Sequence, residues 1–205
     1  MQFEYKHIKS IFVPYAEDAL KRARIALKVK GYSGKKTKTN STGKLSDGLD
    51  YQITQSSKGD NLTLEFTSNE VYGAFIEEGV NGTKIKHGSP YSFTKKNIDQ
   101  KAIIKWLESP KIRLRKMTKT KSGGVSNVFI EKNAKNIKAS AFAIGRSIAL
   151  KGIRGIGFMS KSQNYAFEDY KADISEAFTK DVAESMANDL LSRIPNGAKT
   201  TVKIK

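Results

Sequence analysis

The chain has no cysteine among its 205 residues, which removes disulfides and thiolate metal sites from consideration. Histidine is nearly as scarce: His7 and His87 are the only two, and no metal-ligand spacing surrounds them. No apolar run approaches the roughly 18 residues of a membrane-spanning helix. The first residues, Met1-Gln2-Phe3-Glu4-Tyr5-Lys6, lack the apolar centre of a signal peptide. We therefore expect an intracellular, soluble product without a membrane partner. Nucleophile–base–orienter sets and phosphate-binding loops are also missing, so neither an enzyme nor a bound cofactor or metal is expected. Acids are few: 20 Asp/Glu stand against 37 Lys/Arg, a formal charge of +17.

What the chain has in excess is positive charge, and that charge is concentrated. Residues 111–160 hold 12 Lys/Arg and one acid, whereas residues 61–110 and 161–205 are each balanced. Charge confined to one quarter of a chain makes a local field rather than a generally solubilised surface. It reads either as a solvated loop or as a surface facing a polyanion, most simply nucleic acid. The candidate contacts are Lys111, Arg113, Arg115, Lys116, Lys119 and Lys121, with Lys35, Lys36 and Lys38 in an earlier loop.

At 38% hydrophobic the chain can bury a core, and its length suits one domain. The spacing predicts a helix over 15–30, with Pro14 at its first position, Glu17 and Asp18 in its first turn and a stripe of Ala16, Ala19, Leu20, Ala23, Ala26 and Leu27. Residues 32–48, rich in Gly, Ser and Lys, read as a mobile loop. Alternation at Leu49, Tyr51, Ile53 and then Leu62, Leu64, Phe66 predicts a β-hairpin covered by the first helix. A short helix over 69–79 would turn Val71, Phe75 and Ile76 inward and end at Gly79; a loop holding His87 follows. Adjacent Glu77 and Glu78 diverge on a helix and make no acid–base pair by themselves.

A helix over 97–108 would bury Ile98, Ala102, Ile103, Leu107 and Trp106, the last as a core plug rather than a base-stacking platform. Residues 111–133 read as a basic arm of two strands turning at Gly123-Gly124, with Val125, Val128, Phe129 and Ile130 in the return strand. The central helix starts at Ala134: Ile137, Ala141, Ile144 and Ile148 share one side. Ala139, Ala141, Ala143, Gly145 and Ala149 would let another element approach closely, and Gly152, Gly155 and Gly157 stop the helix. A last helix over 166–194 carries an i+4 ridge of Ile174, Phe178, Val182, Met186, Leu190 and Ile194, with Asp173, Glu176, Glu184 and Asp189 as an acidic outer side. The tail 195–205 includes a strand-like segment that could extend a sheet edge. The fold class expected is α+β: one domain with a small antiparallel sheet packed by an N-terminal helix and two or three C-terminal helices, with long loops or arms. Its core would comprise about 10–110 and 134–194.

The order of these parts resembles the neck and tail-completion proteins of tailed bacteriophages, also called head–tail joining or minor tail proteins. Tyr72 with Glu77 or Glu78 and Gly79 is similar to that family's Tyr-Ala-x-x-x-Glu-x-Gly-like element, although Gly73 stands where Ala is usual and Val80 where Thr is common. The Trp106-bearing helix follows. Arg146, Ile148, Gly152 and Ile153 are similar to the family's Arg-x-Ile-x-x-x-Gly-Ile-like helix end, which precedes an aromatic residue, here Phe158, and a final helix. The similarity spans about residues 10–190. It implies a structural virion protein, assembled in the host cytoplasm, that forms a ring of six- or twelve-fold symmetry at the neck or tail end. Its partners would be sister copies, portal, connector or tail-tube proteins, and the double-stranded DNA that passes through, attracted electrostatically. The alternative is a stand-alone basic nucleic-acid-binding protein, against which stands the lack of a helix-turn-helix, zinc-finger or aromatic-plus-basic RNA motif.

Overall fold

A computed structural model describes residues 4–29, 43–56, 61–96, 98–119 and 125–193. In chain order the elements are α1 (Lys6–Lys28), α2 (Lys44–Asp47), β1 (Leu49–Gln55), β2 (Leu62–Ser68), α3 (Gly73–Glu78), β3 (Gly79–Asn81), α4 (Lys101–Glu108), β4 (Arg115–Lys119), β5 (Val125–Phe129), α5 (Ala134–Lys151), β6 (Gly152–Arg154) and α6 (Phe158–Arg193). The fold is mixed helix and strand, with strands paired antiparallel in twos. Two compact units are distinguished: Met1–Gly73 with Gly157–Lys205, and Ala74–Ile156. The expected tail 195–205 and the loop segment 32–42 lie outside the described residues.

In the first unit α1 and α6 pack as an antiparallel pair, Ile8 beside Asp181 and Arg22 beside Asp169. The facing residues are small: Ala16, Ala19, Ala23 and Ala26 on α1, Ser162, Ala166, Ala177 and Ser185 on α6. Two surfaces of this kind can approach closely, with Leu20 and Leu27 filling the remainder. The helix starts eight residues before Pro14 and does not begin there, so Pro14 is interior and Glu17 and Asp18 are mid-helix. An interior proline costs about 3 kcal/mol. Packing on both sides of Pro14 offsets this, and a distant residue caps the start: the buried Asp181 carboxylate accepts from His7 N (2.8 Å) and Ile8 N (2.9 Å). These are two of the four backbone donors that a helix start leaves unsatisfied.

The same contact reorients α6. The helix begins at Phe158, eight residues earlier than its periodicity predicts, and runs 36 residues, or about 54 Å. With Asp181 turned to α1, the buried line is Phe158, Ser162, Ala166, Ala177, Asp181 and Ser185. The apolar ridge predicted as the core face is largely outside: Phe178 is 49% exposed, Met186 54% and Leu190 62%. Ile174 and Val182 are half-buried, and Ile194 lies outside the described residues. Of the acids expected on the outer side, Asp173, Glu176 and Glu184 are exposed, at the margin of α1, and Asp189 is half-buried. Asp173 and Glu176 line a small cleft with His7, and Glu184 meets His7 Nε2 at 2.9 Å.

The hairpin forms as its alternation predicts, pairing Tyr51 with Phe66 and Ile53 with Leu64. Tyr15 of α1 meets Phe66 edge-on at 6.3 Å. Part of the expected loop is a helical turn: α2 buries Leu45, and Arg24 ties the turn to α1 by donating to the carbonyls of Ser46 (3.1 Å) and Leu49 (2.9 Å). Val71, expected inward, is 87% exposed.

The second unit is built on α5. Asn133 caps its start by accepting from Asn136 N at 2.9 Å. Its buried line is a straight i+4 series, Ile137, Ala141, Gly145 and Ala149, with Ile144 and Ile148 half-buried beside it. Leu107, Leu114, Ile137 and Ala141 form the core, with Ile103, Ile104, Ile112, Ile130 and Ile144 packed against it. Trp106 is not a core plug: α4 is short and buries Leu107, which leaves the indole 54% exposed one residue away. Ala102 is likewise exposed. Phe75, expected inward, is 39% exposed and packs edge-on against Tyr91 at 4.7 Å.

Truncating Asp181 to Ala should lower stability by about 2 kcal/mol, because it strands two buried N–H donors. Truncating Glu184, an exposed partner of His7, should cost well under 1 kcal/mol. Urea denaturation of both variants measures the difference; equal losses would contradict the cap.

Candidate functional site

Two stretches singled out in the sequence, Tyr72–Gly79 and Arg146–Ile153, meet in space. The strand β3 follows the first and β6 ends the second, and they pair antiparallel: Gly79 with Arg154, Val80 with Ile153, Asn81 with Gly152. The crossing admits no side chain at four positions. A Cβ on Gly79 would lie 2.4 Å from the Ile153 carbonyl oxygen, and one on Gly82 2.2 Å from that of Leu150. One on Gly152 would lie 2.3 Å from the Val80 carbonyl oxygen, and one on Gly155 2.4 Å from that of Glu77. Gly79 and Gly152 also hold φ of +79° and +76°, the left-handed region. The glycines thus do more than stop the helix; they form a backbone-to-backbone lock.

The lock also ends α5. A helix leaves its last carbonyls without partners. Here Thr83 N donates to Ala149 O (2.9 Å), and Lys84 N and Ile85 N donate to Leu150 O (3.0 and 3.2 Å). His87 Nε2 donates to Lys151 O at 2.8 Å. The segment read as a simple loop is therefore a strand followed by a cap. Asn81 holds it in shape: its Oδ1 accepts from His87 N (2.6 Å) and its Nδ2 donates to Ser92 Oγ (3.1 Å). Sequence reasoning missed Asn81; its one signal is its place between Val80 and Gly82, where a buried amide can satisfy turn backbone. The side chains of Glu78 and Arg146 are exposed, Glu77 and Ile148 are half-buried, and Tyr72 is 39% exposed.

A second feature of this unit is a groove of about 590 Å³. Ala139, Ser140, Ala143 and Ile144 of α5 form one wall, Trp106 and Leu107 of α4 another, and Ile112 to Lys116 the third. The basic arm is a hairpin, as predicted, with Arg115 opposite Phe129. The Arg115 and Arg113 guanidiniums lie 4.6 and 5.7 Å from the Phe129 ring centroid, close enough for cation–π attraction. Among the described residues, no carboxylate pairs with Arg113, Arg115 or Lys116. Lys111 is exposed at the start of the arm and Lys119 belongs to β4. Lys121, Lys35, Lys36 and Lys38 lie outside the described residues.

The titratable groups displaced from their ordinary range lie on α1 and α6. Burial between aromatic rings pushes the Tyr15 phenol up. The Asp18 carboxylate, hydrogen-bonded to Arg22, raises that guanidinium further. Lys180 donating to Glu176 lowers the carboxyl and raises the ammonium. The first comes from packing between helices and hairpin, the other two from i,i+4 ion pairs along a helix. Among the described residues no group of three or more His, Asp or Glu is gathered to hold a metal, and no helix is long and apolar enough to cross a membrane. No protein-family model, curated protein or solved structure matches the chain significantly.

Gly152→Ala should destabilise the protein by at least about 3 kcal/mol, since a backbone clash adds to left-handed strain. Gly88 has the same backbone sign, φ +75°, but open space around a Cβ. Gly88→Ala should therefore cost only about 1 kcal/mol. Thermal melts of the two variants separate crowding from strain; equal shifts would contradict the lock.

Proposed function

We propose that the chain is a structural virion protein of a tailed bacteriophage, forming a ring in the neck or tail-completion region that joins head to tail and lets double-stranded DNA pass. The observation that carries this reading is the lock. The two elements behind the family resemblance are some seventy residues apart in sequence, yet they build one structural feature. A shared architectural motif would bring them together in this way, and the pairing supports the reading.

The charge supports the same reading. Lys135, Lys138, Arg146, Lys151 and Arg154, all exposed, belong to α5 and β6 beside the lock. A ring repeats such cations around its lumen, where they attract phosphates without reading bases. Sister copies, portal or connector proteins and tail-tube proteins are the partners in this proposal, and the virion is its location.

Electron microscopy of the purified protein, with light scattering to size it, tests the proposal. Rings with a central hole are expected. The variant R146E/K151E/R154E should still form rings but should retain short duplexes less well, with a shallower salt dependence. A monomer that binds short duplexes in a salt-sensitive way would instead point to a stand-alone nucleic-acid-binding protein.

A further inference from the structure

We infer that the groove of the second unit receives the exposed apolar ridge of α6 from a second copy of the chain. The inference rests on the ring reading for its symmetry and names the two surfaces that would build the ring.

The groove has the form of a helix receptor. Ala139 and Ala143, exposed on α5 at i and i+4, let another backbone approach closely, while Trp106, Ile112 and Ile144 give it apolar sides. Its volume of about 590 Å³ can take several side chains. Arg113, Arg115 and Lys116 border it without a paired acid among the described residues. The occupant must therefore be helical, apolar on one face and acidic in balance.

The C-terminal part of α6 meets each requirement. Among the three long helices α6 alone carries more acids than bases, seven against four, and its last twelve residues hold Glu184 and Asp189 against Arg193; α5 carries four bases and no acid. Phe178, Val182, Met186 and Leu190 recur at i+4, and three of them are about half exposed or more. The twelve residues after Asp181 run past the residue that caps α1, about 18 Å of helix. Asp189 lies beside this ridge, held only by Arg193 at 3.0 Å. Arg193 is largely exposed in this i,i+4 pair and such pairs are weak, so the half-buried Asp189 carboxylate can exchange to Arg113 or Arg115. A contact between two different surfaces is heterologous, and repetition closes it into a ring when the rotation allows.

The absence of cysteine makes the test clean. Ala143→Cys and Leu190→Cys change exposed residues, and Thr63→Cys on β2 is an exposed control. Thermal melts matching the parent confirm folding first. Oxidation of an equimolar A143C and L190C mixture should make a disulfide-linked dimer the main product, lost when T63C replaces either partner. The double variant A143C/L190C should give a ladder of linked copies. Rings that form while the A143C and L190C mixture stays unlinked would overturn this inference and leave the ring standing. Dimers from L190C alone, at the yield of the mixture, would mean that α6 pairs with itself and would overturn it too. An internally bridged monomer from the double variant would show the groove filled by its own helix. No self-association under any condition would remove both the inference and the ring.

Discussion

A pair of peptide segments brought so close that no Cβ fits between them is the constraint on which the second unit depends. At the pairing of β3 with β6, four glycines let backbone meet backbone. The consequence reaches beyond the strands. Because Gly82 and Gly152 bring the chain against the end of α5, residues 83–87 can supply donors to its last carbonyls. A helix that carries exposed cations and one wall of the groove is thereby held at its C-terminus by hydrogen bonds and not left to fray. The lock has no chemistry of its own; it positions surfaces that do.

In the first unit one buried carboxylate has a comparable reach. Asp181 satisfies the start of α1, eight residues before Pro14. It also fixes which side of α6 is hidden, so that small and polar residues face α1 and the larger apolar ones face outward. A helix whose buried line is mostly Ala, Ser and Asp, with Phe178, Met186 and Leu190 outside, departs from the usual distribution. Such a distribution is costly for a monomer and natural for a subunit whose remaining surface is completed by assembly.

The parts legible in the sequence were those set by local rules. Period-two alternation located the hairpin of β1 and β2, the basic alternation located the arm of β4 and β5, and α5 began and ended where its periodicity and glycines indicate. What escaped was set by distant residues. The early start of α1 needs a cap 173 positions away. The ridge of α6 has core spacing, but spacing does not say which face is buried when a single carboxylate decides the rotation. Trp106 was misread because α4 is too short to bury both it and Leu107. Of the candidate site, the glycines and basic arm were visible, while their purpose was not: a lock needs both strands, and the one local sign of Asn81's role is its place between Val80 and Gly82.

These features join into one account, in which glycine-permitted closeness anchors α5 and α5 presents the basic surfaces proposed to meet DNA and a neighbouring subunit. Native-state hydrogen exchange tests its foundation most directly. The amides of Thr83, Lys84 and Ile85 sit in a segment with no regular structure of its own. They should nevertheless exchange as slowly as those in the middle of α5, since opening them requires breaking the lock. Exchange at the rate of an exposed loop would contradict the account.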